Sequence, residues 1–349
     1  MQLTFRHVVI DADGPENPHI KVAGDIDGDG NPDIVIASSS GGPLVWYRYP
    51  GWTRHEIASS GKWSTDAQLV DMDGDGDLDL LISEWYGENR LEWWENPLPE
   101  GDPAKDPWIR HVIGAPRAHD IQVGDLDGDG AMEIVTRQQG APGNEIVIWK
   151  RQDETWRNRT LVCPEGEGLA VGDLDGDGRD DIVIGGAWWR APEDAMSGTW
   201  GMREFAEWHA DAVVALADMN GDGRLDVVLT RSEGPYRLSW FETPADPLDG
   251  SWIEHLVDED VDYAHSLAIA DMNGDGMPDI VTAEMHQSER KRLLVYLNED
   301  GGTSWTQHVV ATTGMHKLCV ADIGNSGKVS ILGANWSGPY QPVEMWEQE

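Results

Sequence analysis

Apolar and polar positions along the chain follow one short cycle, repeated. Each cycle opens with an apolar stretch such as IQVG or LAIA, passes an acidic, glycine-rich turn, and enters a β-branched run such as DIVIAS, DLLIS or DIVTA. An aromatic stretch follows, as in LVWYRYP, RLEWWENP, EIVIWK, RLSWFETP, LLVYLN and VEMWEQ. The cycle closes on W-x-x-[HR]-x-h, beginning at Trp52, Trp108, Trp156, Trp252 and Trp305. Short apolar runs bounded by turn residues mark strands, and Gly, Pro, Asp and Asn fill the joints. Each cycle therefore predicts four short strands, A to D, and the chain is predicted to be all-β.

The acidic turn, D-h-[DN]-G-D-G, begins at Asp25, Asp71, Asp125, Asp173, Asp218 and Asp271, with a degenerate copy, DIGNSG, at Asp322. Seven units cover all 349 residues, so one domain, residues 1–349, is expected. Four-stranded units at such a period predict a β-propeller. The chain begins with FRHVVID, a strand D with no unit before it, and ends with VEMWEQE, a strand C with no strand D after it. Pairing first with last completes a seventh blade and removes an open sheet edge. The prediction is a single seven-bladed β-propeller with four-stranded antiparallel blades.

The turns carry a definite chemistry. In DIDGDGNPD, Asp25, Asp27, Asp29 and Asp33 stand at positions 1, 3, 5 and 9. Five more turns repeat the pattern: Asp71, Asp73, Asp75 and Asp79; Asp125, Asp127, Asp129 and Glu133; Asp173, Asp175, Asp177 and Asp181; Asp218, Asn220, Asp222 and Asp226; Asp271, Asn273, Asp275 and Asp279. Alternate acids separated by glycine turn oxygens inward around one hard cation, and calcium takes about 6–8 such oxygens. An EF-hand needs Glu at position 12, where these turns place Ile36, Ile82, Thr136, Ile184, Leu229 and Thr282, so that reading fails. About six structural calcium ions are expected, and none at Asp322, where Gly324, Ser326 and Ser330 replace the acids.

Composition narrows the partners. Lys plus Arg is 25 and Asp plus Glu is 64, a net charge of −39, which excludes nucleic acid and anionic membrane surfaces as partners. No apolar run reaches the roughly 18 residues of a membrane span. The opening MQLTFRHVVID has no charged n-region and no apolar h-region, so no signal peptide is expected. Two cysteines, Cys163 and Cys319, make no disulfide framework.

The turns, the period and strand B together resemble the FG-GAP and VCBS repeats, and that resemblance implies a calcium-binding propeller such as the integrin α-subunit head. The aromatic strand followed by W-x-x-H-x-[IV] is similar to the propeller module of aldos-2-ulose dehydratase and related sugar-degrading proteins. That second resemblance implies a lyase acting on a carbohydrate.

Histidines sort by position. His7, His55, His111, His255 and His308 share one place on outer strand D and read as framework. His19, His119, His265 and His316 each lie six residues before the first acid of their turn, where the chain enters innermost strand A. Equivalent positions on strand A form a ring around one channel mouth, at the end away from the acidic turns. The exits of strand B reach the same face with Trp85, Arg137, Trp188, Arg231 and His286. Converging neutral imidazoles can hold one Zn²⁺ or Mn²⁺.

The site expected there has His19, His119, His265 and His316 as metal ligands or bases, with Tyr263 and His286 as further catalytic groups. Asp66, Asp120, Glu167, Arg137 and Arg231 would orient a sugar or oligosaccharide, and Trp85 and Trp188 would stack on it. The reaction expected is proton abstraction α to a carbonyl, followed by β-elimination. A propeller that binds carbohydrate or protein without catalysis is the alternative, and a ligand-free scaffold the third reading.

Overall fold

The computed structural model describes residues 3–85, 87–139 and 144–349. Among them, 28 strands form seven four-stranded antiparallel sheets. Blades 1 to 6 each run outward in chain order from strand A to strand D, beginning with Pro18–Gly24, Trp63–Val70, Ala118–Gly124, Ala170–Gly172, Ala212–Ala217 and Ala264–Ala270. Blade 7 takes His316–Ala321, Ser330–Ala334 and Val343–Gln348 from the C-terminal end, and its outer strand, Phe5–Asp11, from the N-terminal end. Phe5 pairs with Gln348 and His7 with Trp346, so the expected closure is present. Each strand A packs on those of both neighbouring blades, including blade 7 on blade 1, and the ring is complete.

Burial explains the four kinds of strand. Strand B lies between neighbouring blades and is buried on both faces, as at Asp33–Ser38, Asp79–Glu84 and Asp279–Glu284. Its β-branched, continuous apolar sequence follows from that position. Strand D alternates exposed and half-buried positions because only one face meets the protein. Strand A is buried at its start and partly open toward its end, where it lines the channel.

The outer histidines have a packing role. His55, His111, His255 and His7 pair across strands with Trp46, Trp93, Trp240 and Trp346. Their rings stack at centroid distances of 4.7, 4.2, 4.0 and 5.2 Å. Such aromatic cross-strand pairs contribute about 0.2–1 kcal/mol each and cover the indole faces of strand C.

Candidate functional site

Two groups of side chains lie at opposite ends of the strand A ring. At the far end are the acidic turns. The first acid of every turn accepts the backbone N–H of position 6: Asp25 from Gly30 at 2.8 Å, Asp125 from Gly130 at 2.9 Å, Asp271 from Gly276 at 2.8 Å. Asp322 accepts from Gly327 at 2.8 Å in the same way, so the turn keeps its shape where the other acids are missing. Gly30 has φ +90 with nothing within 4 Å of an added Cβ, so glycine is needed there for backbone conformation and not for space.

The position-9 acid staples the turn to the blade. Asp226 is fully buried and accepts from Met219 N at 3.0 Å and Thr243 N at 2.9 Å. Asp33, Asp79, Asp181 and Asp279 make the equivalent pairs. Burial, opposed by these N–H donors and reinforced by neighbouring acids, pushes Asp33, Asp181 and Asp226 up to about 7 and Asp79 and Asp279 to about 6. Carboxylate oxygens converge within 4.8 Å in four turns, at Asp25/Asp27/Asp29, Asp71/Asp73/Asp79, Asp125/Asp127/Glu133 and Asp173/Asp175/Asp181. In the fifth and sixth turns Asn220 and Asn273 replace one acid and donate to Asp222 and Asp275 at 3.2 and 2.9 Å. Crowded acids at this spacing, several held above their ordinary pKa, fit the demands of a hard divalent cation.

At the other end, the entry to strand A is bent in a common way. Asn17, Arg117 and Tyr263 hold positive φ of 49, 56 and 49°, and Gly314 of 76°, each two residues before a ring histidine. The A–B register then slips at or next to His19, His119, His265 and His316. Bulges of this kind re-aim a side chain, and the four imidazoles come together as a buried cluster, each at most 6% exposed. His19 stacks on His316 at 4.8 Å, His316 meets His265 at 4.4 Å, and His265 meets His119 at 6.2 Å.

Glu167, from the entry of blade 4, is 1% exposed and lies against two of the four imidazoles. One of its oxygens lies 3.4 Å from His119 Nε2 and the other 3.5 Å from His265 Nε2. Gln139 and Ser232 donate to the same carboxylate. His119 Nδ1 faces Asp120 Oδ1 at 3.2 Å. This carboxylate–imidazole order, with Nε2 turned to a shared centre, is how a metal-binding histidine is oriented. His119, Glu167 and His265 place their ligand atoms within 4.8 Å of one another. Two imidazoles and one carboxylate suit Zn²⁺, Mn²⁺ or Fe²⁺.

Electrostatics separates the four imidazoles. Burial holds His265 down to about 4, and His19 and His316 well below the usual value. Burial also pulls on His119, but Asp120 and Glu167 outweigh it and leave His119 above the usual value. Asp120 is held well below the carboxylate range because His119 overcomes its burial.

Below the cluster is a channel cavity of about 230 Å³, lined among others by His119, His265, Glu167, Asp66, Asp120, Lys21 and Lys317. Lys21 is buried and donates to the carbonyls of His316 at 2.6 Å and His19 at 3.3 Å. Burial drives its amine well below the ordinary lysine value. Lys317 stays above it, because Asp66, Asp120 and Glu167 outweigh burial. Neither lysine was expected from the sequence. The signal was there: two of only seven lysines follow ring histidines within two residues.

Several expected roles are corrected. Trp188 is fully buried in the core between blades 4 and 5 and offers no face to a ligand. Arg137 is buried and donates to the carbonyls of Glu167, Gly168 and Pro164, so it clamps the entry of blade 4 and does not face a sugar. Glu167 and Asp120 belong with the imidazoles: Asp120 accepts from Gly168 N at 3.0 Å, and Asp66 from Ile121 N at 3.1 Å. Among the described residues, Tyr263 does not line the cavity; its carbonyl accepts from His265 and Met285. His286 stands apart, edge-on to Trp336 at 5.6 Å. Arg231 faces Asp211 at 3.8 Å and donates to the Pro235 carbonyl. Trp85 meets His119 edge-on at 5.1 Å, as a neighbour of the cluster. Trp336 packs at 5.2 Å from His19.

The FG-GAP-like repeat profile matches residues 25–82, 71–136 and 218–282, and the FG-GAP repeat matches 166–193. The chain belongs to the FG-GAP-like repeat family. No curated protein sequence matches this FG-GAP propeller. Among solved structures, BBS1N in complex with ARL6DN, soaked with mercury, is similar with TM-score 0.63 at 12% identity, over 98% of this chain and 95% of that one. The same complex soaked with lead gives 0.59 at 12%, over 99% and 96%. AofleA from Arthrobotrys oligospora gives 0.46 at 11%, over 89% and 91%. At such identities the likeness concerns the fold alone.

Proposed function

We propose that this propeller is a calcium-stabilised, metal-assisted carbon–oxygen lyase acting on a sugar-sized hydroxy-carbonyl compound. The observation that carries the reading is the buried His119–Glu167–His265 cluster beside a polar cavity whose wall it shares. The acidic turns would hold calcium and fix the ring of strands on which the cluster is built. His119, Glu167 and His265 would hold the transition metal, whose chemistry when bound is that of a Lewis acid toward a carbonyl oxygen.

The remaining roles fall to side chains on the cavity wall. Lys21, whose amine burial holds well below the ordinary lysine value, takes the proton from the carbon α to the carbonyl. Asp66, which burial raises above its usual value against the pull of Lys317, gives a proton to the departing β-hydroxyl, which leaves as water. Lys317 offsets the charge of Asp66, Asp120 and Glu167. A volume of about 230 Å³ admits a monosaccharide-sized ligand and not a polymer segment. This size argues against the oligosaccharide that the sequence left open.

Binding without turnover is the competing reading, and the burial of all four imidazoles favours it. Incubating the calcium- and zinc- or manganese-loaded protein with 2-keto sugars separates the two. Elimination produces a conjugated enone that absorbs in the near ultraviolet. The proposal expects its appearance with the wild type and its loss with Lys21→Met. Saturable binding of the sugar with no enone formed would leave a binding protein and overturn the lyase.

A further inference from the structure

The acidic turns are alike in sequence, yet the strand that passes beside them is not. In every blade an aromatic or large residue of strand C pairs with the residue after position 9: Tyr47 with Ile34, Trp94 with Leu80, Trp149 with Ile134, Trp189 with Ile182, Phe241 with Val227 and Tyr296 with Ile280. The next residue in each strand therefore occupies one equivalent place beside the turn. It is Arg48, Glu95, Lys150, Arg190, Glu242 and Leu297 in blades 1 to 6.

The three cations occupy the acids. Lys150 Nζ lies 2.7 Å from Asp127, 2.8 Å from Asp129 and 2.8 Å from Glu133, so one ammonium touches positions 3, 5 and 9 together. Arg190 bridges Asp175 and Asp177, and Arg48 bridges Asp27 and Asp29, in both cases positions 3 and 5. The other three blades have no such group at this place. Glu95 and Glu242 are turned to His111 at 2.6 Å and His255 at 3.0 Å, and Leu297 is apolar and fully buried. Arg224 in blade 5 does reach an acid, but only Asp222 at position 5, and it is also anchored to the Thr243 carbonyl at 2.9 Å.

We propose that Arg48, Lys150 and Arg190 are tethered counter-ions that compete with calcium, dividing the six turns into a weak class in blades 1, 3 and 4 and a strong class in blades 2, 5 and 6. The inference rests on the calcium part of the proposed function. A tethered cation is present at a high effective concentration whatever the solution contains. Calcium entering blade 3 must displace an ammonium from three carboxylates or share them with it, at a repulsive distance. In blades 2 and 5 the same place carries an acid, which adds to the attraction. Blade 3, with contacts to three turn positions, is the weakest site. At low calcium the turns of blades 1, 3 and 4 remain partly neutralised by their own cation, while those of blades 2, 5 and 6 depend on the ion.

Calcium titration of the full chain, stripped by chelator dialysis, tests this by calorimetry or competition with a chromophoric chelator. The wild type is expected to show two classes of three sites, at least tenfold apart in affinity. Lys150→Met should move one site from the weak to the strong class and keep the total at six. Glu95→Lys should move one the other way, and it provides the reading should Lys150→Met fail to fold. Six equivalent sites, or classes unchanged by both substitutions, overturn the inference while leaving calcium binding intact. No calcium uptake by the wild type overturns the calcium reading itself and the inference with it.

Discussion

The same innermost strands end in two different ways. His119 and Asp125, or His265 and Asp271, sit at opposite ends of one strand, six residues apart. At the acidic rim every blade repeats one turn, with the same backbone donors on the first acid, even around Asp322 where the other acids are gone. At the mouth the backbone bend recurs but the surroundings of each imidazole differ. His119 has two carboxylate neighbours, His265 has one, and His19 and His316 meet mainly rings. Repetition at the rim marks parts that hold the ring together. Differences laid over a shared backbone at the mouth mark a single asymmetric centre. Substitutions at the two ends should therefore separate cleanly into losses of stability and losses of binding.

The largest effect should come from stripping calcium from the rim. A ligand at one hundred times its dissociation constant stabilises by about 2.7 kcal/mol per site. Several strong sites together should lower the melting temperature on the order of 10 °C on chelation, with recovery on adding calcium. A melting curve unmoved by chelator would show that the backbone donors suffice and that the rim is not an ion-dependent structure.

Next in size is removal of one rim staple. Asp226→Ala leaves the buried N–H groups of Met219 and Thr243 without acceptors, at about 1–3 kcal/mol each. Urea denaturation in excess calcium should show a loss of about 2–5 kcal/mol. His316→Ala at the mouth should cost less, because among the described residues its ring Nδ1 has no hydrogen-bond partner to leave behind, and equal losses would erase the contrast between the two ends.

Much of this was legible in the sequence, for physical reasons. Seven cycles of alternating, acidic, β-branched and aromatic stretches dictate seven four-stranded sheets, and an unpaired strand at each end dictates their closure. The four histidines were placed correctly because strand A has a fixed relation to the turn that follows it. The misreadings came from side-chain direction. Arg137 lies at a strand B exit as expected, but carbonyls from Pro164 to Gly168 capture it, whereas Trp188 belongs to a short strand C, Ala187–Arg190, and is buried in the core. The place of Glu167 in the cluster was hidden because blade 4 has no histidine at the ring position, and only distances across the ring identify its partners.

Acid should act at the mouth in the stripped protein. His265 titrates at about 4 when folded and near 6.5 when unfolded. The unfolded chain therefore takes up the proton first, and the stability linked to this group is complete above pH 6.5 and lost as pH falls toward 4. The loss is on the order of 3 kcal/mol. His265→Gln should flatten the fall in melting temperature between pH 6.5 and 4, and an unchanged slope would place the acid-sensitive groups elsewhere.

The smallest effect on stability is expected at Trp85. It borders His119 edge-on and is partly exposed, so Trp85→Ala should change stability by less than about 1 kcal/mol. The same change should alter the affinity of the mouth for its metal, read by competition with a chelator, if the indole shields that ion from water.

The measurement that bears most directly on the two-ended account is elemental analysis of the protein purified with calcium and with zinc or manganese in excess, then desalted. The wild type should retain one transition-metal ion per chain beside its calcium, and His265→Ala should lose that ion and keep the calcium. A wild type without a transition metal, or a variant that keeps it, would contradict the account.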